Sequence, residues 1–115
     1  MSLELTKGLT LEWWTPAGHE NDDNPVAFHI RPLTGPQMMI MRKHFNIEAQ
    51  SIEPEGLLLA CRDGLRGWRN VLDENGDSQV FHRSMIDRLP HDWIALIGAQ
   101  VISNSVMTEA AQKNS

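Results

Sequence analysis

The run HDWIALIGAQVIS, residues 91–103, constrains this chain most. Trp93, Ile94, Leu96, Ile97, Val101 and Ile102 are apolar. At helical periodicity they cover more than one face, and a helix that is apolar on several faces must be buried among other elements. This segment is therefore expected to be the central core helix, with Asp92 placed to cap its start. Asn104 and Ser105 interrupt the pattern, and Thr108 and Glu109 can open one further short turn. The closing AAQKNS reads as a frayed end. The expected organisation is one α+β domain over 1–107 and a flexible C-terminal tail over 108–115.

The rest of the chain supplies what packs on that helix. LTLEWWTPAG reads as a strand closed by Pro16 and Gly18, and HENDDNP as a polar loop. In VAFHIRPL, the alternation of Val26, Phe28 and Ile30 places the three on one face of a second strand. These two runs are expected to pair as an antiparallel hairpin. A helix should start at Thr34, whose hydroxyl and the Gln37 side chain form a capping box around Pro36. Its apolar face would hold Met38, Met41 and Phe45. Another helix should begin near Pro54, carry Leu57, Leu58, Cys61 and Leu65, and end at Gly64 or Gly67. The segment after Trp68 is expected to join the small sheet. Ser84 and Asp87 suggest a short helix through Leu89, with Ser84 as its cap and Pro90 as its stop.

The formal net charge is −5. Counterion-releasing binding to nucleic acid needs a basic surface, and so does a polybasic membrane anchor; neither is expected. No apolar run approaches the length of a membrane span. MSLELTKGLT lacks the apolar core of a signal peptide. Cys61 stands alone among apolar neighbours, so an internal disulfide is excluded and a buried thiol in a reducing, cytoplasmic setting is expected.

No catalytic or cofactor constellation emerges. His19, His29, His44, His82 and His91 form no pair at helical ligand spacing, and with one cysteine they make no zinc site. His82, Ser84 and Asp87 are triad residue types, but adjacency is not triad geometry. Asp22 and Asp23 lie in a polar loop with no apolar pocket to raise a pKa. Gly64 and Gly67 lack the remainder of a phosphate-binding motif. Asp73, Asn75 and Asp77 match the first alternating ligands of an EF-hand loop. The glycine that should follow is Ser78, however, and the closing glutamate is Ser84. A polar turn between two extended runs, with Asn75 and Gly76 supplying positive φ angles, fits better. A small calcium-dependent protein or enzyme built on residues 73–77 is kept as an alternative.

Binding candidates are more visible. Trp13 and Trp14 are adjacent, so in a strand their rings point to opposite faces. One can enter the core and the other must be covered by the fold or by a partner. Met38, Met39 and Met41 could form an adaptable binding surface, or simply fill core. Arg62, Arg66 and Arg69 recur at helical spacing and could face an acidic partner, or solvent. Trp68 is expected to plug the core between helix and hairpin.

GLRGWRNVLDENGDSQVFHRSMIDRLP followed by IALIGAQVISNSVMTEAAQKNS resembles the small tail assembly chaperones of long-tailed bacteriophages. The matches are Gly67, Trp68, Asn70, Val71, Asp73 and Gly76, then Thr108, Glu109, Lys113, Asn114 and Ser115. Met107 stands where the family usually has leucine. FHIRPLTG also looks like the family's entry into its first helix. The resemblance covers most of the second half clearly and the first half loosely. Its motif residues are packing and turn residues. It implies a non-enzymatic assembly role in the host cytoplasm: binding the tape measure protein, recruiting tail tube subunits, self-association, and absence from the finished virion. In the family a ribosomal frameshift often adds a C-terminal extension. An alternative within phage morphogenesis is a head–tail connector or tail completion protein.

Overall fold

The computed structural model describes residues 12–113, with side chains from 13 to 106. Three short strands and three α-helices carry most of the architecture. β1 (Glu12–Trp14) and β2 (Ala27–Ile30) form the expected antiparallel hairpin, with Trp13 opposite His29 and Trp14 opposite Phe28. After α1 (Gly35–Arg42) comes a two-stranded hairpin, β3 (Phe45–Asn46) with β4 (Ser51–Ile52). Then follow α2 (Pro54–Gly64), β5 (Leu65–Arg69), a 3₁₀ helix (Arg83–Arg88) and α3 (His91–Lys113). β5 returns to pair antiparallel with β2, so the main sheet has the order β1-β2-β5. The fold is α+β: antiparallel sheets from the N-terminal strands and β5, with α2 and α3 packed together beside them.

The core lies between the inner face of this sheet and the helices. Phe28 and Ile30 enter it from β2, Met38 and Met41 from α1, Ala60 and Cys61 from α2, and Ile97, Val101 and Ile102 from α3. α3 is thus the core helix its apolar pattern predicts, although Leu96, counted in that pattern, is 44% exposed. Trp14 packs against this cluster and lies near Phe28, which in turn lies near Trp93. The capping box of α1 forms as expected: Gln37 N–H donates to Thr34 Oγ1, and Thr34 N–H donates to Gln37 Oε1.

Several expectations are corrected. α1 ends at Arg42, so Phe45 belongs to β3 and not to the Met38–Met41 face. α2 ends at Gly64, and Leu65, which carries its C-cap, already belongs to β5. The 3₁₀ helix is capped by His82, whose side chain accepts from Ser84 N–H; Ser84 is inside it. Asp92 sits within the first turn of α3, its Oδ1 2.9 Å from His91 Nε2, and the first free amides there donate to Pro90 O. The segment after Trp68 contributes only one isolated bridge, Leu72 to Ser78.

The largest departure concerns Asn104 and Ser105. α3 runs through both and continues to Lys113, across residues expected to be tail. Asn114 and Ser115 lie outside the described residues, as do residues 9–11 of the first expected strand. Ser105 is buried because its hydroxyl has two partners. It accepts from Leu33 N–H at 2.8 Å and donates to Val101 O at 2.6 Å. A helical serine that bonds back to its own turn satisfies itself without ending the helix. Ser105→Ala would leave the buried Leu33 amide unpaired and is expected to cost about 1–3 kcal/mol of stability in urea unfolding. A change below a few tenths would show that water replaces the hydroxyl.

Candidate partner-binding site

The residues singled out from the sequence separate into core, scaffold and surface. Met38 and Met41 are buried and help close the core, so they present no binding face. Met39, between them on α1, points outward and is 68% exposed. Ile40 beside it (53%) and Ile47 in the β3–β4 turn (87%) are also exposed. Neither isoleucine stood out in the sequence. Ile40 follows a methionine run whose periodicity suited a core face, and Ile47 lay where the helix was expected to continue. Phe45, Asn46, Ile47, Gln50, Ser51 and Ile52 line a shallow, mostly apolar cavity of about 370 Å³ on this hairpin.

Of the tryptophan pair, Trp14 turns inward and Trp13 outward, at 48% exposure. Trp13 stacks on His29, with ring centroids 4.4 Å apart and planes within 5°. The Arg69 guanidinium carbon lies 4.6 Å from the Trp13 ring centre. Arg62, Arg66 and Arg69 do not share a helix face, because the chain becomes extended after Gly64. Arg62, on α2, donates through Nε and Nη2 to Asp87 Oδ1 of the 3₁₀ helix. Arg66 and Arg69 lie on β5 and are exposed.

The motif residues between 67 and 76 build a hydrogen-bonded corner with Gln79. Trp68 is half-buried, donates its indole N–H to Gln79 O at 2.8 Å and meets Phe81 edge-on. It plugs the core edge as expected, although against a loop and not a regular hairpin. Asn70 adopts a left-handed φ of 61° and donates from Nδ2 to Pro25 O, tying the end of β5 to the entry of β2. Asparagine tolerates that backbone region better than most residues. Asp73 Oδ1 accepts from the amides of Asn75 and Asp77, and Oδ2 accepts from Gln79 Nε2. Both carboxylate oxygens are thus engaged by the loop itself. Gly76 supplies a positive φ of 83°, but Asn75 does not, correcting the expected two-residue turn. Gly67 lies opposite His29 in the sheet. The side chains of Thr108, Glu109 and Lys113 are not among those described.

Among the described residues, no group of three His, Cys, Asp or Glu side chains is placed to hold a metal ion. No described helix is long and apolar enough to cross a membrane. His82 Nδ1 is bonded to Ser84 Oγ, while Asp87 is engaged by Arg62, so the three triad types form no relay. Cys61 is fully buried, and burial pushes its thiol up to about 12, with Arg62 opposing and Asp87 adding to the shift. A thiol held protonated is a poor nucleophile. It is expected to react with a disulfide reagent only on unfolding. Because the unfolded thiol loses its proton at lower pH than the folded one, stability should fall as pH rises from about 9 towards 12. Urea midpoints across that window check this, and Cys61→Ala should flatten the decline.

Comparison with protein-family models, characterised proteins and solved structures yields no match to this chain.

Proposed function

We propose that this protein is a tail assembly chaperone of a long-tailed bacteriophage. It acts in the cytoplasm of the infected or lysogenic bacterial host, by binding and not by catalysis. Its client is the long tape measure protein, which it keeps soluble until tube subunits are recruited around it, and it leaves before the virion is complete. The sequence resemblance across Gly67–Gly76 motivates this reading. The observation that carries it is the uncovered apolar side chains of Met39 and Ile40 on α1 and of Ile47, which lines the shallow hairpin cavity. Exposed apolar residues, one of them at a concavity, suit an adaptable contact with apolar helical segments of a client. Many copies along one client would gain avidity from individually weak contacts.

The test is co-expression with the long helical product of the neighbouring gene, scoring its solubility and co-purification. Met39→Glu combined with Ile47→Glu is expected to abolish solubilisation while leaving the thermal midpoint within a few degrees, since exposed positions change stability by about 0.5 kcal/mol or less. Full solubilisation by the double variant would remove α1 and the hairpin from the interface. Detection of the protein in purified virions by mass spectrometry would favour a connector or completion protein instead.

A further inference from the structure

The outer face of the three-stranded sheet carries a second surface, distinct from α1 and the β3–β4 hairpin. Trp13, His29 and Gly67 lie side by side across β1, β2 and β5. The first two are stacked, and Arg69 reaches over Trp13 from β5. Gly67 leaves a notch in this row. Gly67 adjoins a register shift of the strand pair, and a bulge is one cause of a strand glycine. Its φ lies outside the left-handed region, and an added Cβ would meet His29 Cβ at 3.4 Å, ordinary contact. Beyond the bulge, a strand glycine leaves room for another chain to approach closely.

Charge narrows the occupant. The protein carries −5 overall, yet Arg66 and Arg69 are exposed here, and no described carboxylate pairs with either. Arg62 and Arg83, by contrast, have Asp87 and Asp63. Arg66 is also the extra residue where the β2–β5 register shifts between His29 and Ile30. A bulge and arginines on an edge strand oppose pairing with a second copy, where like charges would meet. They do not oppose an acidic chain.

We propose that the notch at Gly67, walled by the Trp13–His29 stack and Arg69, with Arg66 the preceding residue of β5, docks an extended acidic segment of a partner protein. Trp and Arg together are the residue types that dominate interface energetics. This site stands independently of the chaperone reading.

The test follows amide and indole NMR resonances of the full chain during titration with a synthetic peptide of alternating glutamate and threonine. A lysine–threonine peptide is the control. The Trp13 indole and Gly67 amide should move with the acidic peptide only, and less at high salt. Gly67→Thr should keep or raise the thermal midpoint, because threonine favours strands, yet weaken binding by about tenfold or more. Arg69→Glu should weaken it similarly, and carries the comparison should Gly67→Thr not fold. Undiminished binding by these variants, equal binding of the lysine peptide, no movement at Trp13 and Gly67, or occupation of the notch by a second copy would each overturn the proposal.

Discussion

Gly98→Val is expected to destabilise the protein by about 3 kcal/mol or more, the upper range for overpacking a close contact. A Cβ at residue 98 would collide with the Leu57 carbonyl oxygen and lie 3.0 and 3.1 Å from Leu57 C and Cα. All three are backbone atoms of α2, so no rotamer change relieves the clash; the helices must separate. Gly64, at the end of α2, makes the reciprocal approach, where a Cβ would run into the Val101 side chain of α3. The sign of the smaller change is the sharper test. In an exposed helix interior, glycine to alanine gains about 1 kcal/mol from propensity. Here Gly98→Ala is expected to lose stability instead, read as a lower urea midpoint at unchanged slope. A stabilising Gly98→Ala would mean that α2 and α3 do not pack this closely.

Phe28→Ala is expected to cost about 3–5 kcal/mol, as for other buried aromatic deletions. Phe28 is 1% exposed and sits where the sheet meets α3, its ring 6.0 Å from Trp14 and 5.8 Å from Trp93 between centroids. Removing it takes away packing on both sides of the sheet–helix interface. Near-ultraviolet circular dichroism should change with it, since two tryptophans lose a neighbour. Trp13→Ala, on the other face of the same sheet, should cost much less. If both cost the same, the assignment of inner and outer faces is wrong.

The contrast between those residues shows how far the sequence could be read. Alternation in β2 placed Phe28 and Ile30 inward, and the capping box located the start of α1 to the residue. The apolar breadth of α3 identified the core helix. Each is a local pattern repeating at the period of its own element. The surface was less legible. Met38, Met39 and Met41 look alike in sequence, yet two are core and one is exposed. The arginines were placed on a helix that stops before Arg66. Ser105 looked like an interruption because its partner, Leu33, is seventy-two residues away.

From its sequence alone, this chain was determined to be an α+β protein with strands first, a capped α1, and a buried final helix. Residue type and spacing suffice there, because propensity, capping and amphipathic period act over a few neighbours. Tertiary structure alone decided which side chains remained outside. It set Trp13 against His29 and Arg69, spent Asp73 on its own loop, and left Met39, Ile40 and Ile47 uncovered. Exposure depends on what another element covers, and the elements that meet here, such as α2 on α3 at Gly98 and β5 on β2 at Gly67, are far apart in the chain.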